Sequence, residues 1–177
     1  MFDRPSPSPR RCVQFLKSET MGREIERKYL VDNKLWASIG KPDGAEYRQG
    51  YLVTDPNKTI RIRLTPTKGF LTIKGLSVGA SRPEFEYEIP SDEAKELLDN
   101  FSISELSKVR FCIEYKGKVW EVDEFQGDND GLIVAEIELS SEDEPFDVPS
   151  WVGEEVTGQD KYYNSNLTIL PYKKWNS

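Results

Sequence analysis

Charge in this chain is sorted by sign along runs of period two. Side chains at i and i+2 of a strand share a face. Glu24, Glu26 and Lys28 then share one face, Arg61 and Arg63 another, and Lys74 follows with Thr72. Glu84, Glu86 and Glu88 line up next, then Lys108 with Arg110, Glu121 with Asp123, and Glu136 with Glu138. The alternate positions are apolar: Ile60, Ile62 and Leu64; Leu71 and Ile73; Phe85, Tyr87 and Ile89; Val109, Phe111 and Ile113; Ala135, Ile137 and Leu139. Runs at 24–29, 47–54, 59–65, 70–75, 84–90, 108–116, 118–125 and 132–139 give eight expected strands. Asp55-Pro56-Asn57, Lys68-Gly69, Lys116-Gly117 and the 127–131 segment supply turns. Such short links make neighbouring strands antiparallel hairpins.

A sheet with one face in water produces the same alternation. Two details favour a charged interior instead. A solvated face mixes signs, because like neighbours repel. The chain also carries apolar helical segments that need a surface to cover. If they pack on the apolar face, the charged face is the inside of a closed barrel, and closure removes exposed edges. The expected architecture is mainly β: an eight-stranded antiparallel closed β-barrel with a few helices packed outside. One helix is capped by Asp32 and carries Leu35, Trp36 and Ile39, ending at Gly40 before Pro42. A second is capped by Ser91, with Asp92 and Glu93 in its first turn and Ala94, Leu97, Leu98 and Phe101 on one side. A third spans 161–167.

Residues 1–20 form an expected disordered tail ahead of a single domain at 21–177. The run Pro5-Ser6-Pro7-Ser8-Pro9-Arg10-Arg11 cannot build a core. The chain of 177 residues has no histidine, which excludes a Ser-His-Asp triad and a histidine-ligated metal. Two cysteines, Cys12 and Cys112, make neither a secreted disulfide framework nor a cysteine zinc site, and the expected compartment is the cytoplasm. A net charge of −7 argues against nucleic-acid binding, and no apolar stretch reaches the roughly 20 residues of a membrane span.

An interior lined by both signs calls for ions, since unpaired buried charge is costly. Paired carboxylates suit a hard cation such as Mg²⁺ or Mn²⁺. Lys and Arg on facing strands suit phosphoryl oxygens. The two together point to a metal–polyphosphate complex.

Glu24-Ile25-Glu26-Arg27-Lys28 is an ExExK motif. It is followed in order by Arg61-Ile62-Arg63, Leu71-Thr72-Ile73-Lys74, Glu84-Phe85-Glu86-Tyr87-Glu88, Lys108-Val109-Arg110, Val122-Asp123-Glu124 and Glu136-Ile137-Glu138. On these motifs the chain resembles the CYTH superfamily, the triphosphate tunnel metalloenzymes, from about Met21 to Leu170. Arg48-Gln49-Gly50-Tyr51-Leu52 resembles its compact bacterial-type members. The resemblance implies phosphate contacts from Lys28, Arg61, Arg63, Lys74, Lys108 and Arg110. It implies metal binding by Glu24, Glu26, Glu136 and Glu138, with Asp123 and Glu86 or Glu88 supporting these or holding a second ion. It implies catalytic roles for Tyr51 and Lys108, and makes Lys161 a further candidate cation. Glu84 reads as a rim residue. The activity implied is metal-dependent hydrolysis of a small triphosphate, above all inorganic tripolyphosphate to pyrophosphate and phosphate. The alternatives are a nucleoside or thiamine triphosphatase, a class IV-like adenylyl cyclase, and a non-catalytic polyphosphate-binding module. The expected partner is the small triphosphate alone, in a monomer or homodimer.

Overall fold

The structure is a computed structural model that describes residues 22–55 and 57–175; the expected tail lies outside them. Its strands are β1 (Arg23–Val31), β2 (Ala45–Asp55), β3 (Lys58–Leu64), β4 (Gly69–Gly75), β5 (Ser81–Ile89), β6 (Ser104–Tyr115), β7 (Lys118–Phe125), β8 (Ile133–Glu138) and β9 (Val152–Glu155). The helices are α1 (Asn33–Ser38), α2 (Ser91–Phe101) and α3 (Asn164–Leu167).

Every pairing is antiparallel, in the order β5-β4-β3-β2-β6-β7-β8-β1-β9, and β5 returns to pair with β1. The first eight strands thus close a barrel, as expected. The closing seam is short: Arg23 faces Pro83, Glu24 faces Arg82 and Ile25 faces Ser81. β9 takes up the rest of that edge of β1, opposite Tyr29 and Val31. With one apolar side chain in Val152-Gly153-Glu154-Glu155, this strand carries no alternation by which to predict it.

The apolar faces turn outward and are covered. Tyr29, Trp36, Trp120, Val122, Ile137 and Trp151 form one cluster, in which the Trp120 ring meets Tyr29 and Trp151 edge to face and Trp36 lies tilted against Trp151. α1 contributes Trp36, and Asp32 accepts hydrogen bonds from the Lys34 and Leu35 amides as the predicted cap. Beneath α2, Ile62 packs with Ala94 and Leu98. α2 differs in its cap. Pro90 holds that position and makes no side-chain cap bond, which puts Ser91 inside the first turn.

The third predicted helix is broken. A 3-10 turn spans Asp160–Tyr162, Tyr163 is extended, and α3 follows. Tyr162 and Leu167 both bury in a cluster with Leu106, Phe125 and Val134. Leu106 and Phe125 share strand faces with Lys108 and Asp123, so this cluster belongs to the inward side. The C-terminal segment therefore supplies part of an apolar plug, where an external helix was expected. Among the described residues no helix is long and apolar enough to cross a membrane.

α2 sits directly on β2 at Gly50. A Cβ there would lie 2.2 Å from Ser102 Oγ and 2.8 Å from Leu98 Cδ2. Gly50→Ala is expected to lower unfolding free energy by about 1–3 kcal/mol, read from urea titration.

Candidate active site

A cavity of about 1760 Å³ occupies the barrel interior. One wall is acidic because β1 and β8 run antiparallel in a register that sets Glu26 against Glu138 and Lys28 against Glu136. Glu136 accepts from Lys28 Nζ at 2.6 Å and from Arg110 Nη2 at 2.8 Å. Burial opposes its ionised form, yet Lys28 and Arg110 hold its carboxyl well below the usual range. Glu24 accepts from Lys74 Nζ at 2.8 Å and Arg82 Nε at 2.9 Å, and these two cations likewise outweigh burial.

Glu26 and Glu138 are in the opposite condition. The Lys28 ammonium lies 3.8 Å from Glu26, nearer to Glu136. Burial, then Glu136 and Glu24, push the Glu26 carboxyl up to about 8. Glu138 is more open to solvent than Glu26, and partial burial, then Glu24 and Glu121, push it to about 7. Lys28 and Lys74 offset this only in part for Glu26, and Lys74 only in part for Glu138, so both carboxyls are short of positive charge.

The facing wall is basic. Arg61 and Arg63 come from β3, Lys74 from β4 and Arg110 from β6. Glu86 lies among the arginines, accepting from Arg63 Nη2 at 3.1 Å and Thr72 Oγ1 at 2.8 Å. Burial and the neighbouring Arg61 lower the Arg63 guanidinium despite Glu86, so the site is short of negative charge there. Tyr47 lies between Arg63 and Arg110, its ring centre 5.5 and 5.6 Å from their guanidinium carbons. Tyr51 lines the cavity opposite Arg61 in the β2–β3 register.

Behind the wall is a buried ionic layer. Lys108 Nζ donates to Asp123 Oδ2 at 2.5 Å, and Arg110 donates to both Asp123 oxygens at 2.6 Å. Burial and Arg110 push the Lys108 ammonium down to about 8.

The structure thus brings together Glu24, Glu26, Glu136, Glu138, Lys28, Arg61, Arg63, Lys74, Arg110 and Tyr51 around one cavity. It separates others. Lys108 and Asp123 are not on the cavity wall, because the apolar plug shares their faces and encloses them. Glu86 lines the cavity but pairs with arginines, away from the acidic wall. Glu88 is exposed at the barrel end and bonds Lys68 at 2.6 Å. Lys161 lies over the rings of Tyr162 and Trp175, outside the cavity lining.

Glu84, read as a rim residue, is an inner one: its side chain is 10% exposed and 2.9 Å from Lys74 Nζ. Arg82 and Glu121 also line the cavity and were not among the predicted site residues. Period two carried back from Glu84 reaches Arg82, and that signal was available. Glu121 was visible on the charged face of β7, and it pairs with Arg110.

The donor set suits a hard divalent cation: four carboxylates offering only oxygen, two of them short of positive charge. Among the described residues no three acidic side chains are already grouped to hold an ion. Glu24 and Glu136 are engaged by lysine and arginine, so a cation has to compete with those pairs.

This arrangement gives a pH effect in metal-free protein. Unfolded Glu26 releases its proton near 4.5 and folded Glu26 near 8, so between these values the folded state holds more protons. Stability is then expected to fall as pH rises from about 5 to 8, by an amount on the order of a few kcal/mol. Urea unfolding in chelator across that range checks it. Mg²⁺ or Mn²⁺ added at pH about 8 is expected to reverse the loss, since a bound cation takes the proton's place.

A closed antiparallel barrel with opposed acidic and basic inner walls defines a tunnel protein for polyanions. The family model described as the CYTH domain matches residues 22–168, and the chain belongs to that family. It is 47% identical to an inorganic triphosphatase of Acetivibrio thermocellus over 88% of this chain and 99% of the relative. It is 36% identical to an inorganic triphosphatase of Nitrosomonas europaea over 82% of this chain and 97% of that one. A crystal structure of an inorganic triphosphatase superposes with a TM-score of 0.58 at 31% identity, covering 82% of this chain and 94% of the other.

Proposed function

We propose that this chain hydrolyses inorganic tripolyphosphate to pyrophosphate and phosphate, as the activity named for its relatives indicates. The observation that carries the reading is the pairing of two incomplete walls. Glu26 and Glu138 want a cation, and Arg63 wants an anion, across one cavity. A metal–triphosphate complex supplies both. Glu24, Glu26, Glu136 and Glu138 hold the divalent ion, Mg²⁺ or Mn²⁺, which when bound neutralises phosphate charge and polarises the scissile bond.

The chain's own groups do the rest. Arg61, Arg63, Lys74 and Arg110 hold the phosphoryl oxygens in line and offset charge on the transferring and leaving groups. Lys28 stands within the acidic wall, held by Glu136, and offers an ammonium to the phosphate chain beside the ion. Tyr51 offers a hydroxyl beside Arg61. Lys108 and Asp123 support this machinery by fixing Arg110 from behind. Arg82 and Glu84 hold Glu24 and Lys74 in place.

The test is phosphate release from tripolyphosphate, ATP and thiamine triphosphate with Mg²⁺, with Mn²⁺ and with excess chelator. Chelator-sensitive turnover that is fastest on tripolyphosphate is the expected result. Tight polyphosphate binding without turnover would make the tunnel a binding module.

A further inference from the structure

Gln49 is one of the largest fully buried side chains, at 0% exposure, yet it is polar and does not line the cavity. Its Nε2 donates to the Tyr51 hydroxyl oxygen at 3.3 Å. Its Oε1 has no hydrogen-bond partner among the described residues. A buried carbonyl left unpaired costs about 1–3 kcal/mol, so an apolar side chain of the same size would suit folding better here. The amide therefore needs a role besides packing.

We propose that Gln49 is the positioning residue for Tyr51. A phenol carries one proton and can both donate and accept. By donating to the oxygen, Gln49 occupies its acceptor side and leaves the Tyr51 proton for the cavity, where Tyr51 is a lining residue beside Arg61. The hydroxyl is thereby set as a donor to a phosphoryl oxygen. Gly50, pressed under α2, fixes the backbone between the two side chains. The catalytic part of this inference rests on the tripolyphosphate reading; the positioning of the hydroxyl does not.

Gln49→Met keeps the volume and removes the donor. It is expected to lower kcat on tripolyphosphate about tenfold, the scale of one hydrogen bond, with KM within about twofold. Tyr51→Phe is expected to lose at least as much, and adding Gln49→Met to it should cost nothing further. Additive losses, or wild-type kcat in Gln49→Met, would overturn the proposal.

Gln49→Glu is a second variant. Burial raises a carboxyl's pKa there. Protonated, it donates to Tyr51 as the amide does; ionised, it takes the Tyr51 proton away from the cavity. Its kcat relative to wild type is therefore expected to fall as pH rises, and a constant ratio would count against the proposal. The NMR shift of the Tyr51 ring carbon bearing oxygen, measured without substrate, reads positioning directly. A shift moved by Gln49→Met supports positioning even if wild-type protein fails to cleave tripolyphosphate, which would sink the functional reading alone. An unmoved shift sinks the positioning.

Discussion

Asp123→Asn is expected to lower folding stability by about 3–5 kcal/mol, the usual cost of breaking a buried ion pair from one side. Asp123 is fully enclosed and accepts from Lys108 once and from Arg110 twice. Asparagine keeps the shape but loses the charge, and one of its terminal atoms donates where a donor already points. Two buried cations then face each other with Glu136 as their nearest shared counter-charge. A guanidinium titration measures the midpoint and slope. Glu88→Gln is the control. It removes an exposed partner of Lys68, and its effect is expected within about 0.5 kcal/mol. Similar losses for the two would mean that the buried layer is not built as described. A double change of Lys108 and Asp123 to apolar residues is expected to recover part of the Asp123→Asn loss, because it removes charge without orphaning the partner.

Arg61→Ala is expected to lower kcat on tripolyphosphate by about 10²–10³, the typical effect of deleting a preorganised donor aimed at developing phosphoryl charge. The fold should tolerate it. Glu86, the counter-ion it leaves, keeps Arg63 and Thr72 as donors. Steady-state phosphate release separates the outcomes. Equal falls in kcat and kcat/KM place the contact in the transition state, whereas a raised KM alone would make Arg61 a ground-state clamp. Arg61→Lys is expected to restore little, because an ammonium does not reproduce the planar fork of a guanidinium. Unchanged kcat in Arg61→Ala, alongside unchanged kcat in Glu24→Gln, would remove the hydrolytic reading.

Alternation carried the fold. Every expected strand from 24–29 to 132–139 is present, because each has one face buried and the register cannot slip without inverting it. The sorting of sign by strand also told inside from outside, as Glu26, Arg61 and Glu136 confirm by their place in the cavity. The depth of each residue along the barrel was not legible. Glu88, Glu86 and Glu84 share a face and look alike in sequence. One is exposed, one pairs with arginines, and one reaches Lys74 beside the acidic wall. Depth depends on how far neighbouring strands are staggered, which no single strand records. The plug was hidden for a similar reason. Leu106 and Phe125 lie in phase with charged residues and resemble core positions of any kind. Only the arrival of Tyr162 and Leu167 shows that they close off Lys108 and Asp123.

Among the described strands β1 is the first to be synthesised, and two of its three neighbours come late. Its partners are β5, β8 and β9, and the amide of Lys28 bonds Thr157 across 129 positions of chain. β2 to β5 can zip as local hairpins and offer β1 only the short seam with β5, whereas its pairings with β8 and β9 have to wait until nearly all of the domain has left the ribosome. Contacts of such long range slow folding and leave strand edges open to other chains. During that wait Glu24, Glu26 and Lys28 are alternate charges on a free edge, a pattern that discourages edge-to-edge association. The side chains assigned to ion and phosphate binding in the finished barrel thus act as gatekeepers of the nascent chain. Neutralising several of them at once is expected to reduce soluble yield as well as turnover.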